Sequence, residues 1–89
     1  MSKYTNVCLT GPCCLRNELQ EFAFEMERIL SLHDESKGES WRTCTIGFLE
    51  GKLHEELSEY ASSPCRSGKC DELVDIANIC MMLYHRRLK

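Results

Sequence analysis

The chain has 89 residues, enough for one domain and not for two. It is 43% hydrophobic and 28% charged, with two prolines and five glycines, a balance that argues against disorder across its body. A net charge of −3 argues against a general nucleic-acid binder, which carries a basic stripe.

A chain of this length buries about 60–65% of the surface it exposes when unfolded. Proteins so small often add disulfides, a metal or a partner subunit. Residues 1–14 lack a basic start followed by an apolar run, so no export segment is read there. The most apolar stretch, residues 76–84, is far shorter than the roughly 20 residues that span a bilayer. The expectation is an intracellular, cytoplasmic protein without a membrane partner.

Residues 1–14 read as an N-terminal extension and residues 15–89 as one helical domain. Gly11-Pro12 punctuates the chain before the first helix, which is predicted from Leu15 to His33. Its apolar positions Leu15, Leu19, Phe22, Met26 and Ile29 are spaced 4, 3, 4 and 3, one stripe on a helix. Residues 34–43 are polar, contain Gly38 and Trp41, and read as a loop. A tryptophan in such a loop anchors it to the core or stacks on something flat.

The second helix is predicted from Thr45 to Ala61, with Thr43 or Thr45 as N-cap and an apolar face of Ile46, Leu49, Leu53, Leu57 and Tyr60. Ser62-Ser63-Pro64 ends it, and the chain through Lys69 reads as a loop. The third helix is predicted from Cys70 or Asp71 to Arg87, with Asp71 and Glu72 in its first turn, where the helix dipole favours acids. From Leu73 to Tyr84 it is apolar nearly all round, interrupted by Asp75 and Asn78, so it is expected to be central and partly covered by a second subunit. The fold class is therefore all-α, a three-helix bundle completed by oligomerisation.

Cysteine is abundant and odd in number: Cys8, Cys13, Cys14, Cys44, Cys65, Cys70 and Cys80. Cys44 and Cys80 are expected to pack as small hydrophobes. The spacings miss that of a zinc knuckle, and a reducing compartment disfavours disulfides. Free thiols are preferred over a zinc site joining the loop to the N-terminus, or a disulfide.

The informative residues are acids. Glu56 and Glu59 lie about 60° apart on the flank of the second helix's apolar stripe, and Glu72 and Asp75 share the same i, i+3 spacing on the third. Antiparallel packing through a short connection would turn both pairs to one cleft. Carboxylates meeting at the border of a core are costly unless neutralised, and oxygen-only ligation suits Mg²⁺, or Mn²⁺ in its place, rather than zinc. Glu55 lies about 80–100° further round and is more exposed; it is a candidate for orienting water or acting as base. Taken singly, each motif is more simply a solvated helix face. Asp75 shifts the balance, because a poor helix former here interrupts an apolar run.

At these residues the chain resembles the MazG-type all-α NTP pyrophosphohydrolase superfamily, whose pattern is E-E-x-x-E, a spacer, then E-x-x-D. Here it reads Glu55-Glu56-Leu57-Ser58-Glu59, twelve intervening residues, then Glu72-Leu73-Val74-Asp75. The run from Asp75 through Asn78 to Met82 is similar to an Asp-Val-Ala-Asn run of such proteins, and His33-Asp34-x-x-Lys37-Gly38-x-x-Trp41 is similar to their loop after the first helix. The resemblance covers about residues 20–86. The spacer is at the short end of the family's range, so a tight connection is expected.

The resemblance implies Mg²⁺-dependent hydrolysis of a nucleoside triphosphate between its α and β phosphates, by a homodimer or homotetramer. It makes Glu56, Glu59, Glu72 and Asp75 the metal ligands, with Glu55 assisting Glu56 in catalysis, and makes Asn78 a candidate contact for sugar or metal-bound water. Lys37 and Arg86 are candidate phosphate contacts and Trp41 a candidate base-stacking residue. For each the ordinary alternative stands beside it: a solvated lysine, a cation favoured by the helix dipole, a loop anchor. His33 and His54 read as surface residues. The competing functional class is a non-catalytic helical interaction module, with or without a cysteine-bound metal, in which the acids are solvated.

Overall fold

The apolar periodicities resolve into three α-helices in a computed structural model that describes residues 15–63 and 66–88. They are α1 (Asn17–His33), α2 (Ile46–Ser62) and α3 (Arg66–Leu88), with a 3-10 turn at Ser40–Arg42 between α1 and α2. Among the described residues there is no strand, and the three helices pack together as an all-α domain. The extension read at residues 1–14 lies outside the described residues, as do Cys8, Cys13, Cys14 and Cys65.

α1 begins two residues after the predicted start. Leu15 precedes it, and the Leu15 carbonyl accepts a hydrogen bond from Gln20 Nε2 at 2.6 Å. At the other end the His33 carbonyl accepts the backbone N–H groups of Ser36, Lys37 and Gly38, at 3.2, 2.8 and 3.3 Å. Gly38 sits at φ +54°, in the left-handed region that only glycine enters cheaply, and this lets the chain leave the helix in a tight turn.

α2 is capped by Thr45, whose Oγ1 accepts the N–H of Phe48 at 3.0 Å. Its apolar face turns inward as the spacing predicts: Leu49 is 3% exposed, and Ile46, Leu53 and Tyr60 are half-buried. Leu57, on the same stripe, stays exposed.

α3 starts earlier than predicted, at Arg66 rather than Cys70 or Asp71, so the connection from α2 is only residues 63–65. Ser67 and Gly68 are weak helix formers and read as loop in isolation. Within a helix of 23 residues their cost of about 0.5–1 kcal/mol each is offset by the tertiary packing of the whole element. Asp71 and Glu72 therefore lie outside the first turn, which holds no acid. The helix dipole does not account for Glu72. Cys70, one of the two predicted starts of this helix, lies within it and is exposed.

Three contacts fix the direction of α3 against α2. Glu56 lies beside Glu72 and Asp75, Glu50 pairs with Arg87 at 2.8 Å, and the Cys44 carbonyl just before α2 accepts from Arg86. Residue numbers fall along one helix as they rise along the other, so the pair is antiparallel. α1 completes the domain by packing on α3, where Asn78 Nδ2 donates to the Met26 carbonyl at 3.2 Å.

The core is small. Among the described residues, Leu49, Val74 and Ile79 are the buried apolar ones, with Asn78 beside them. The all-round burial expected for α3 is not present in one chain: Leu73, Cys80, Tyr84 and Leu88 are exposed along one stripe. Cys80 is thus not the packed small hydrophobe the sequence predicts, whereas Cys44 is half-buried. Both, with Cys70, are free thiols.

Candidate metal and ligand site

The antiparallel α2–α3 pair brings the acids together. Carboxylate oxygens of Glu56, Glu72 and Asp75 lie within 4.8 Å of one another, and a second group with the same separation unites Glu55, Glu56 and Glu59. Glu56 belongs to both and is the hub. Glu59 reaches Glu56 but not the Glu72–Asp75 side, so the four predicted ligands form a chain through Glu56 rather than one ring.

The electrostatics match this crowding. Burial, first, pushes the Glu56 carboxyl up to about 7; a hydrogen bond with the Glu72 carboxyl adds to this, as do the charges of Glu59 and Asp75. That hydrogen bond exists only while one of the two acids holds a proton. With both ionised, Glu56 Oε1 and Glu72 Oε1 are buried with no donor facing them. Asp75 is also raised, by burial and then by Glu72, against a lowering influence from His33 and Lys37. Buried, donorless carboxylate oxygens are costly, and a divalent cation would neutralise them. The donor set is all oxygen, which fits Mg²⁺ or Mn²⁺.

Beside the cluster opens a cavity of about 550 Å³, of the size that takes a small organic ligand. Glu56 and Asp75 stand in its wall together with three other predicted residues, Lys37, Trp41 and Asn78. Apolar side chains, among them Leu30, Phe48 and Met82, form much of the rest. Lys37 reaches it because the Gly38 turn folds the chain back after α1. Among the described residues Lys37 makes no ion pair.

Asn78 is 4% exposed and its amide has a fixed orientation. Nδ2 is held by the Met26 carbonyl, so the free atom is the acceptor Oδ1, which is buried without a partner. A ligand donor, O–H or N–H, is what such an atom lacks.

Trp41 is half-buried, with the Arg42 guanidinium 4.4 Å above its ring and His85 at 6.4 Å between centroids. The turn carrying it is tied to α3: Arg86 Nη1 donates to the carbonyls of Trp41 at 2.8 Å and Cys44 at 2.5 Å. Arg86 does not line the cavity, and what it visibly does is hold the wall in place. Glu55 is exposed and paired with Lys52 at 2.8 Å, and its carboxyl is lowered, chiefly by that hydrogen bond.

Lys52 and His33 also line the cavity, and sequence reasoning did not place them there. Lys52 is four residues before Glu56, which puts it on the same helix face, so the spacing held the signal. His33 ends α1, and only the packing of α1 against α3 turns it toward Asp75. No family model, curated protein or solved structure matches the chain.

Proposed function

We propose that the protein is a Mg²⁺-dependent nucleoside triphosphate pyrophosphohydrolase of the MazG-like superfamily. Water adds to the α phosphorus, the α–β bridge breaks, and a monophosphate and pyrophosphate leave. The observation that carries this reading is the meeting of Glu56, Glu72 and Asp75, from two antiparallel helices, with Glu56 and Asp75 in the wall of a cavity that also presents lysines and apolar and aromatic side chains.

Glu56, Glu72 and Asp75 hold the cation, with Glu59 next to Glu56 to share it. A bound divalent ion supplies Lewis acidity toward phosphate oxygens. Glu55, beside Glu56 at the solvent side, takes up the proton that water must lose, while Glu56 serves catalysis as the ionised hub of the cation's ligands. Lys37 contacts the phosphate chain, Trp41 offers its ring to the base, and Asn78 accepts from a sugar hydroxyl or metal-bound water. Arg86 serves the site by fixing the Trp41 turn. The enzyme works in the cytoplasm as a homodimer or homotetramer, clearing or balancing nucleotides.

The test is release of pyrophosphate and monophosphate from a panel of NTPs and dNTPs with Mg²⁺, between pH 7 and 9.5. Glu56→Ala and Asp75→Ala are expected to lower turnover at least about a hundredfold, the scale of losing a metal's charge stabilisation, while the helical circular dichroism persists. Unchanged turnover in either variant refutes the assignment. The competing reading, a helical interaction module, is favoured by the exposed apolar stripe of α3. Folded protein that releases no pyrophosphate from any nucleotide would select it.

A further inference from the structure

Lys52 stands at the cavity wall, one turn before Glu56. Its side chain lines the cavity and is 35% exposed, whereas its partner Glu55 is 58% exposed, so the ion pair spans from the cavity wall toward solvent. Such an exposed i, i+3 pair holds its lysine weakly. Lys37 and His33 face the same space from the end of α1 and the turn after it. Lys52 from α2 and Lys37 from the turn after α1 thus share one cavity with the acids Glu56 and Asp75. A bare metal ion gains nothing from lysines, and a neutral ligand needs neither set. An anion that bridges to a divalent cation needs both.

We propose that Lys52 is a ligand for the phosphates that leave as pyrophosphate, exchanging its resting partner Glu55 for them when the nucleotide binds. This rests on the pyrophosphohydrolase reading and deepens it by assigning the distal phosphates to a residue of α2. The ammonium is drawn in the resting state to Glu55, Glu56 and Glu59 together. Once a cation neutralises Glu56 and Glu59, Glu55 alone continues to compete, and the flexible lysine stem can turn to a phosphate oxygen. Over four helical residues the chain rises about 6 Å, about the span of two phosphoanhydride links, which sets Lys52 one turn of α2 away from Glu56.

The experiment is calorimetric titration of the full chain with Mg²⁺ present, using three probes: inorganic pyrophosphate, a deoxynucleoside triphosphate with a non-hydrolysable α–β bridge, and a deoxynucleoside monophosphate. Lys52→Met is expected to weaken the first two about ten- to hundredfold, the scale of a charged hydrogen bond. The monophosphate should bind as before, and Lys52→Arg should restore most of the loss. Equal binding of pyrophosphate by Lys52→Met and the wild type overturns the proposal, and so does an equal loss for all three probes. Should Lys52→Met fail to fold, the Lys52 side-chain NMR signal of the wild type must shift on adding pyrophosphate; a signal that stays put overturns it too. Hydrolysis of nucleotides by the wild type with no effect at Lys52 sinks this assignment alone. A wild type that binds neither pyrophosphate nor the analogue removes the hydrolase reading with it.

Discussion

At Glu56 the surroundings oppose ionisation, and the consequence reaches stability as well as chemistry. An acid whose pKa is raised on folding contributes stability that is complete below its unfolded pKa, near 4.5, and is lost as pH rises through about 7. Asp75 is displaced in the same direction. With a chelator present, Tm is therefore expected to fall between pH 5 and pH 8, by several degrees for a domain of this size. Mg²⁺ should recover most of that loss at pH 8 and little at pH 5, where a proton already occupies Glu56. Glu56→Gln should flatten the dependence. A chelated wild type whose Tm rises or stays level over this range would contradict the crowding of acids. The pairs on α2 and α3 were legible in the sequence because i, i+3 spacing is a fixed angle on a helix and Asp75 breaks an apolar run. The division of Glu59 from Glu72 and Asp75 was not, since it depends on how far each helix is rotated at their contact. Lys52 could have been found from its four-residue spacing to Glu56, but a single lysine in a helix draws no notice until the cavity beside it is seen.

At the scale of elements, boundaries were recovered where a local interaction defines them. Thr45 caps α2 as one of the two predicted candidates, and replacing it with alanine should cost about 1 kcal/mol in urea unfolding without moving the acids. An effect below a few tenths would show the cap to be idle. The start of α3 was misplaced because serine and glycine near Pro64 read as breakers, while the packing that overrides them lies on the other side of the hairpin. Arg86 illustrates the same limit. A cation in a last helical turn fits the dipole or a phosphate equally well on paper, and only the fold reveals that its guanidinium straps the carbonyls of Trp41 and Cys44. Lysine lacks the planar fork, so Arg86→Lys should loosen the turn. The chain has one tryptophan, so its fluorescence reports the turn directly. A red shift with preserved helicity is expected, and an unmoved emission maximum would count against the strap.

For the whole molecule, the telling quantity is the apolar surface left open by a single chain. Leu73 is 42% exposed, and Tyr84 and Leu88 are each 63% exposed on the same stripe of α3, while Leu19 and Phe22 remain open on α1. The sequence signalled this, since a helix apolar all round asks for more cover than two short neighbours supply. A second copy of the chain is the occupant proposed here. Sedimentation at micromolar concentration should give a dimer or tetramer, and Leu73→Glu with Tyr84→Glu should shift it toward monomer with helicity retained. A wild type that sediments as a monomer would refute the assembly.

The three-residue connection between α2 and α3 carries a consequence for how the protein comes together. The acids belong to one hairpin of consecutive helices, so their meeting requires only the closure of a very short loop, which is fast and entropically cheap. His33, Lys37 and Trp41 join the wall from the end of α1 and the turn behind it, whose docking closes a much longer loop. Ion capture and ligand recognition are thus assembled at different sequence separations. Substitutions in residues 17–44 can reshape what enters the cavity while the anionic hairpin keeps its geometry.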